Sequence, residues 1–171
     1  MPYSSTAPMG RTMLTLCWVV ALGLLTLIFG RWESLQINPN QDPNSQRSLT
    51  STQVILQANR QHHYIANGSI NGQSVVFLLD TGATHVSVPA HLAPALGLQR
   101  GSPMTSQTAN GNITVYATNI AQLSLGDITL ENLRGALNPG MTGNEVLLGM
   151  SALKQLEIRQ KGDTLTLIQH H

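Results

Sequence analysis

"FLLDTGATHVSVP", Phe77 to Pro89, sets an aspartate at the end of an apolar run and then turns the chain through Thr81 and Gly82. Val75, Val76, Phe77, Leu78 and Leu79 carry no polar alternation, so the run reads as a strand buried on both faces. A carboxylate that follows such a strand is costly to bury unless it is paired, hydrogen-bonded or protonated. Asp80 is therefore either a turn residue or a working one. As a turn, Asp-Thr-Gly serves well, because the aspartate caps the following backbone and glycine accepts positive φ. The apolar approach argues for more, since it delivers the loop into a low-dielectric interior that a surface turn does not need.

The flanking sequence is mostly β. Asn71-Gly72-Gln73 is a strong hairpin signal between "HYIANGSI" (His63 to Ile70) and the strand that ends at Leu79, and "VILQA" (Val54 to Ala58) is a further short strand. Thr108 to Leu133 alternates β-branched and polar residues, with turn signals at Asn110-Gly111 and Gly126-Asp127. "EIRQKGDTLTLIQ" reads as two strands joined at Gly162-Asp163. Only Ala90 to Leu98 and Ser151 to Leu156 suit short helices, the first held back by Pro94 and closed by Gly97. Many short strands spaced by turns imply an all-β barrel or sandwich.

Ahead of this domain, Met13 to Gly30 has no charged residue and is bounded by Arg11 and Arg31. As a helix it spans roughly 27 Å, close to the hydrocarbon thickness of a bilayer. It is longer than the apolar core of a cleaved leader and its exit, "LIFGRW", lacks a small-x-small site, which favours an uncleaved signal anchor. The expected organisation is a short cytoplasmic segment at 1–12, a transmembrane anchor at 13–30, a flexible linker at 31–52 rich in Asn, Gln, Ser and Pro, and a domain at 53–169. A net charge of +1 with no Lys/Arg cluster excludes the basic stripe that nucleic-acid binding needs. The single cysteine, Cys17, lies in the apolar run, so the domain forms no disulfide of its own. His62-His63 and His170-His171 lack further ligands for zinc; neither a metal nor a cofactor is expected.

Taken together, "LLDTGAT" (Leu78 to Thr84), the "VSVP" strand leading to "LGL", the hairpin around Asn110-Gly111 and "VLLGMSAL" (Val146 to Leu153) resemble the retropepsin-like aspartic proteases. The order of these pieces agrees over nearly all of Gln53 to Gln169. The apolar span and linker further resemble the bacterial single-pass members whose protease domain lies in the periplasm, at the inner membrane. Ala152 departs from the pattern, which has a bulky aromatic in the terminal helix.

The resemblance implies an acid-protease half of closed-barrel type with one or two short helices. It assigns Asp80 as the catalytic carboxylate, with Thr81, Gly82 and Ala83 supporting the active-site loop. A flap with Ala109, Asn110, Gly111 and Asn112 at its tip closes over substrate, and Leu147, Leu148 and Gly149 back the loop. Hydrolysing an amide with neither metal nor covalent nucleophile takes two carboxylates, one accepting a proton from water and one donating to the carbonyl. This chain has one Asp-Thr-Gly; Asp42, Asp127 and Asp163 lie in the linker or in Gly-Asp turns. A homodimer with two-fold symmetry and an Asp80 dyad on its axis follows, acting on a peptide or protein substrate. The alternative is a membrane-anchored, non-catalytic module of the same fold that dimerises and captures extended peptides by β-pairing.

Overall fold

The computed structural model describes residues 7–108 and 111–171, in two units, Met1–Gln36 and Ile37–His171. The first is one long helix, α1 (Ala7–Ile37), whose stretch Thr12–Ile37 is long and apolar enough to be a membrane anchor or a signal segment. Leu14, Trp18, Leu27 and Phe29 on it are all exposed.

In the second unit the local signals produce the strands they predict. Asn71 (φ 50°) and Gly72 (φ 79°) form a two-residue turn that pairs Ile70 with Gln73, joining β3 (Ile65–Ile70) to β4 (Gln73–Leu79). Positive φ at both central residues matches the right-handed twist of the strands, and Asn-Gly adopts it with little strain. Gly126 and Gly162, each at positive φ, likewise turn β7 (Gly111–Leu125) into β8 (Ile128–Asn138) and β10 (Glu157–Lys161) into β11 (Thr164–His170). The remaining strands are β1 (Asn44–Arg47), β2 (Ser51–Gln57), β5 (Val86–Pro89), β6 (Pro103–Thr108) and β9 (Glu145–Leu148).

One sheet runs β3-β4-β9-β5-β8-β7-β6, and β3 also pairs with β7 through Ser69↔Ser124 and Ile70↔Leu123. Six strands thereby close into a ring, and β6 extends from it as the outer arm of a hairpin. A second sheet, β1-β2-β11-β10, adds Val54, Leu56, Leu165 and Leu167 to a continuous core with Phe77, Ile120, Leu133, Leu148 and Leu153. The domain is all-β with short helical pieces, as the sequence implies.

Four local expectations differ from the structure. Residues 38–52, read as linker, are folded from Asn38 onward. Asn40 is 4% exposed, its amide donates to the carbonyls of Gln57 (2.9 Å) and Ile65 (2.7 Å), and its Oδ1 accepts from Gln57 N–H (2.7 Å). β1 then pairs along β2. β4 is buried on one face only: Val75 and Phe77 point into the core and Leu79 packs against it on the same face, whereas Val76 and Leu78 on the other face are half-buried. The stretch Ala90 to Leu98 is a single 3-10 turn, Ala90–Leu92, followed by hydrogen-bonded turns. Pro94 has no N–H to continue a helix, and Gly97 at φ 64° reverses the chain. The last helix, α2 (Met150–Leu153), starts one residue earlier than expected and extends as turns to Leu156; Ala152 is fully buried in it.

Candidate active site

Asp80 sits at the C-terminal end of β4. Its position is fixed by β9, which runs parallel to β4 with Leu79 opposite Leu148. The Leu148 carbonyl accepts from Asp80 N–H (3.2 Å). Beyond it the chain turns sharply, with Ala83 N–H donating to the Asp80 carbonyl (3.2 Å) and Gly82 N–H to the Asp80 carboxylate Oδ1 (2.8 Å). One oxygen is thus held by the backbone of its own loop. Asp80 is half-buried, Ala83 likewise, and Thr81 and Gly82 are exposed. The buried environment expected for the loop is therefore incomplete in one chain, for the same reason that β4 has an uncovered face.

The apolar-apolar-Gly segment lies where it can brace this loop. Met150 N–H donates to the Ala83 carbonyl (2.8 Å) and Ser151 N–H to that of Thr84 (3.0 Å), so the first turn of α2 grips the loop from behind. Gly149 makes the approach possible, because a Cβ there would stand 2.7 Å from the Ala83 oxygen and closer still to that of His85. Leu148 is buried in the core and Leu147 faces the cleft beside Asp80. Sequence reasoning missed Ser151. Its Oγ accepts from Val86 N–H (2.9 Å) and donates to the Arg134 carbonyl (2.8 Å), tying β5, β8 and α2 together behind the loop. A serine after Gly-Met carries no signal of that role, since both its partners are remote main-chain groups.

Asp80 opens into a cleft of about 550 Å³ whose other wall includes Met104, Thr105, Ser106 and Gln107 of β6 and Val115 of β7. The β6–β7 hairpin pairs from Pro103↔Tyr116 up to Thr108↔Gly111, and residues of both its strands line the same cleft as Asp80. Gly111 (φ 107°) and Asn112 are exposed at the described end of the hairpin, while Ala109 and Asn110 lie outside the described residues. At the base of the hairpin the Arg100 guanidinium lies 3.3 Å from the Tyr116 ring centre. The cleft is large enough for a segment of extended peptide and carries main-chain edges and small polar side chains along its walls. Asp80 is the only carboxylate that lines it among the described residues. His85 also lines it, with Nδ1 buried and without a hydrogen-bond partner among the described residues. No group of three or more His, Cys, Asp or Glu side chains is placed to hold a metal among the described residues.

The chain is similar to known proteins. The chain is similar in structure to a retropepsin-like aspartic protease from Rickettsia conorii, with a TM-score of 0.60 and 25% identity over 75% of this chain and 96% of that one. It is 29% identical over 111 residues to a Sinorhizobium sp. protein described as "Uncharacterized protein in cobV 5'region", a match covering 63% of this chain and 48% of that protein. The matched stretch spans about half the length of that relative. The family described as "gag-polyprotein putative aspartyl protease" matches residues 66–155, which take in the Asp80 loop, the hairpin and the Gly149 segment. The chain belongs to this aspartyl protease family.

Proposed function

We propose that the protein is an aspartic endopeptidase that works as a homodimer, the Asp80 carboxylates of two chains meeting across a two-fold axis. The observation that carries this reading is the half-site itself. One aspartate, with one oxygen held by Gly82 N–H, faces a hairpin-covered cleft that no second carboxylate lines among the described residues. Two such groups about 3 Å apart share a proton, because both cannot ionise at that distance. The ionised member takes a proton from water as the water oxygen bonds to the scissile carbonyl carbon, and the protonated member donates to the carbonyl oxygen. Collapse of the resulting diol breaks the C–N bond, and the departing amine takes a proton from the pair. Thr81, exposed next to Asp80, is placed for contact with the second loop, and Gly82 keeps the backbone close to the carboxylate. The substrate binds as an extended strand between the β6–β7 hairpin and the Asp80 loop. Closure of the hairpin, its tip including Ala109 to Asn112, excludes water.

Met13 to Gly30, within α1, serves in this reading as a single-pass anchor, with the domain on the periplasmic side of the inner membrane. Confinement to a plane raises the effective concentration of monomers, so modest intrinsic affinity gives dimer. The test is turnover of a mixed peptide library by the full-length chain and its Asp80→Asn variant. The wild type should cleave and the variant should not, while still dimerising and binding peptide. Cleavage by the variant at the wild-type rate refutes the role of Asp80. Binding without turnover by the wild type would make the protein a peptide-capturing module.

A further inference from the structure

Beside the Asp80 cleft lies a second pocket of about 510 Å³, bounded by the end of the Asp80 loop, β8 and the turns of α2. Thr84 and His85 line both spaces, so the two meet along that segment of the loop.

The second pocket is basic. Arg134 of β8 and Lys154, just after α2, both line it, and no aspartate or glutamate does among the described residues. Neither cation forms an ion pair among those residues, whereas Arg159 on the exposed strand β10 is held 2.7 Å from Glu157. Their backbones are tied to the same short helix: the Arg134 carbonyl accepts from Ser151 Oγ (2.8 Å), and Lys154 N–H donates to the Met150 carbonyl (3.1 Å). Two like charges turned to one pocket gain nothing from each other, and an anion placed there gains from both.

Neutral hydrogen-bonding groups complete the lining. Asn132 and Gln155 carry amides, and Asn132 stands at φ 53° within β8, a conformation asparagine tolerates better than most residues. His85 leaves a buried Nδ1 without a partner among the described residues, an unmet group at the junction of the two spaces. Arginine adds a planar fork that matches a carboxylate, and lysine a mobile point charge.

Continuity with the cleft identifies the occupant. A carboxylate pair that shares one proton keeps one negative charge, so an acidic side chain beside the scissile bond is repelled. One set further along the extended peptide avoids that charge and meets the two cations. Resting on the endopeptidase reading above, we propose that this basic pocket reads an acidic side chain of the peptide, away from the scissile bond, with Arg134 and Lys154 as specificity-determining residues.

The experiment uses the full-length chain in detergent micelles and two matched peptide libraries. In one, each position in turn carries Asp or Glu; in the other, the corresponding Asn or Gln. At one position the wild type should show a kcat/KM about tenfold higher for the acidic member, as expected of two exposed charge contacts worth a few-fold each. Added salt should shrink that ratio. Arg134→Gln and Lys154→Gln should each lower it severalfold, and Arg134→Lys should retain part of it. Reversing both charges, with Arg134→Glu and Lys154→Glu together, should favour lysine-bearing peptides at the same position. Fluorescence anisotropy of the same peptides on Asp80→Asn reads the pocket without turnover. Cleavage with no acidic preference at any position, or with a preference that the Arg134 and Lys154 variants keep, overturns the pocket and leaves the endopeptidase reading standing. No turnover by the wild type, together with acid-selective binding to Asp80→Asn that adding Arg134→Gln abolishes, overturns the endopeptidase reading and leaves the pocket standing.

Discussion

A methyl group added at Gly149 tests whether the brace behind the Asp80 loop is as tight as the geometry indicates. Gly149 has φ −87° and ψ −176°, a conformation alanine adopts freely, so Gly149→Ala introduces no backbone strain of its own. Its effect is steric. The new carbon would stand 2.7 Å from the Ala83 oxygen and 2.7 Å from the His85 carbonyl carbon, and nearer still to the His85 oxygen. Carbon prefers its neighbours at roughly 3.5–4.0 Å, so about 0.8–1.3 Å of movement must be found at the two atoms 2.7 Å away, and more at the His85 oxygen. All three atoms are main chain, with no side-chain rotation to relieve them. Overpacking of this kind costs about 1–3 kcal/mol. With a urea slope near 1.5 kcal/mol per molar, about 2 kcal/mol lowers the unfolding midpoint by more than about 1 M, readable by circular dichroism. The displaced Ala83 carbonyl also accepts from Met150 N–H, so the loop shifts as a unit. A misplacement near 1 Å lowers turnover by about 100-fold. A Gly149→Ala protein with wild-type midpoint and wild-type peptide cleavage would refute the claim that this segment sets the loop.

Further expectations follow from individual contacts. Asn40→Ala leaves Gln57 N–H and two carbonyls without their partner in a buried setting and should destabilise the domain by about 3 kcal/mol; a change within error would return residues 38–52 to the status of a tether. Ser151→Ala removes the bridge between Val86 N–H and the Arg134 carbonyl, with an expected loss of about 1–3 kcal/mol and a drop in turnover, whereas Ser151→Thr should retain part of both. Glu157 is held below the ordinary glutamate range by its hydrogen bond to His170 and then by that to Arg159. A depressed folded-state value stabilises above the ordinary range and is lost as pH falls through it. The melting temperature of Glu157→Gln should therefore depend less steeply on acid pH than that of the wild type, and identical acid limbs would contradict this.

Much of the fold was legible because its determinants are local. Asn71-Gly72, Gly126-Asp127 and Gly162-Asp163 each specify a two-residue turn by their own backbone preferences, and hairpin registers follow from them. The Asp80 loop was legible by its residue types, and the Gly149 segment through its resemblance to a family. Long-range features were not. Asn38, Asn40 and Asn59 look like linker and turn composition, yet Asn40 and Asn59 stitch a folded segment to distant main-chain carbonyls and Asn38 donates to the side chain of Asn67. Nothing in the sequence distinguishes an asparagine that bonds to water from one that bonds to a remote carbonyl. Burial of β4 was overestimated because an apolar run fixes what a face prefers, while the molecule that covers that face can be a second chain.

The pairing of β4 with β9 also has a consequence in time. Leu79 and Leu148 are neighbours in space, but the ribosome makes them far apart, and the carbonyl that receives Asp80 N–H exists only once synthesis has reached Leu148. Contacts of such long range form late. The nascent polypeptide exposes its acidic tripeptide early but has nothing to shape it until almost the last segment emerges. The order of synthesis thus delays the shaping of the Asp80 loop until the chain beyond Leu148 is made.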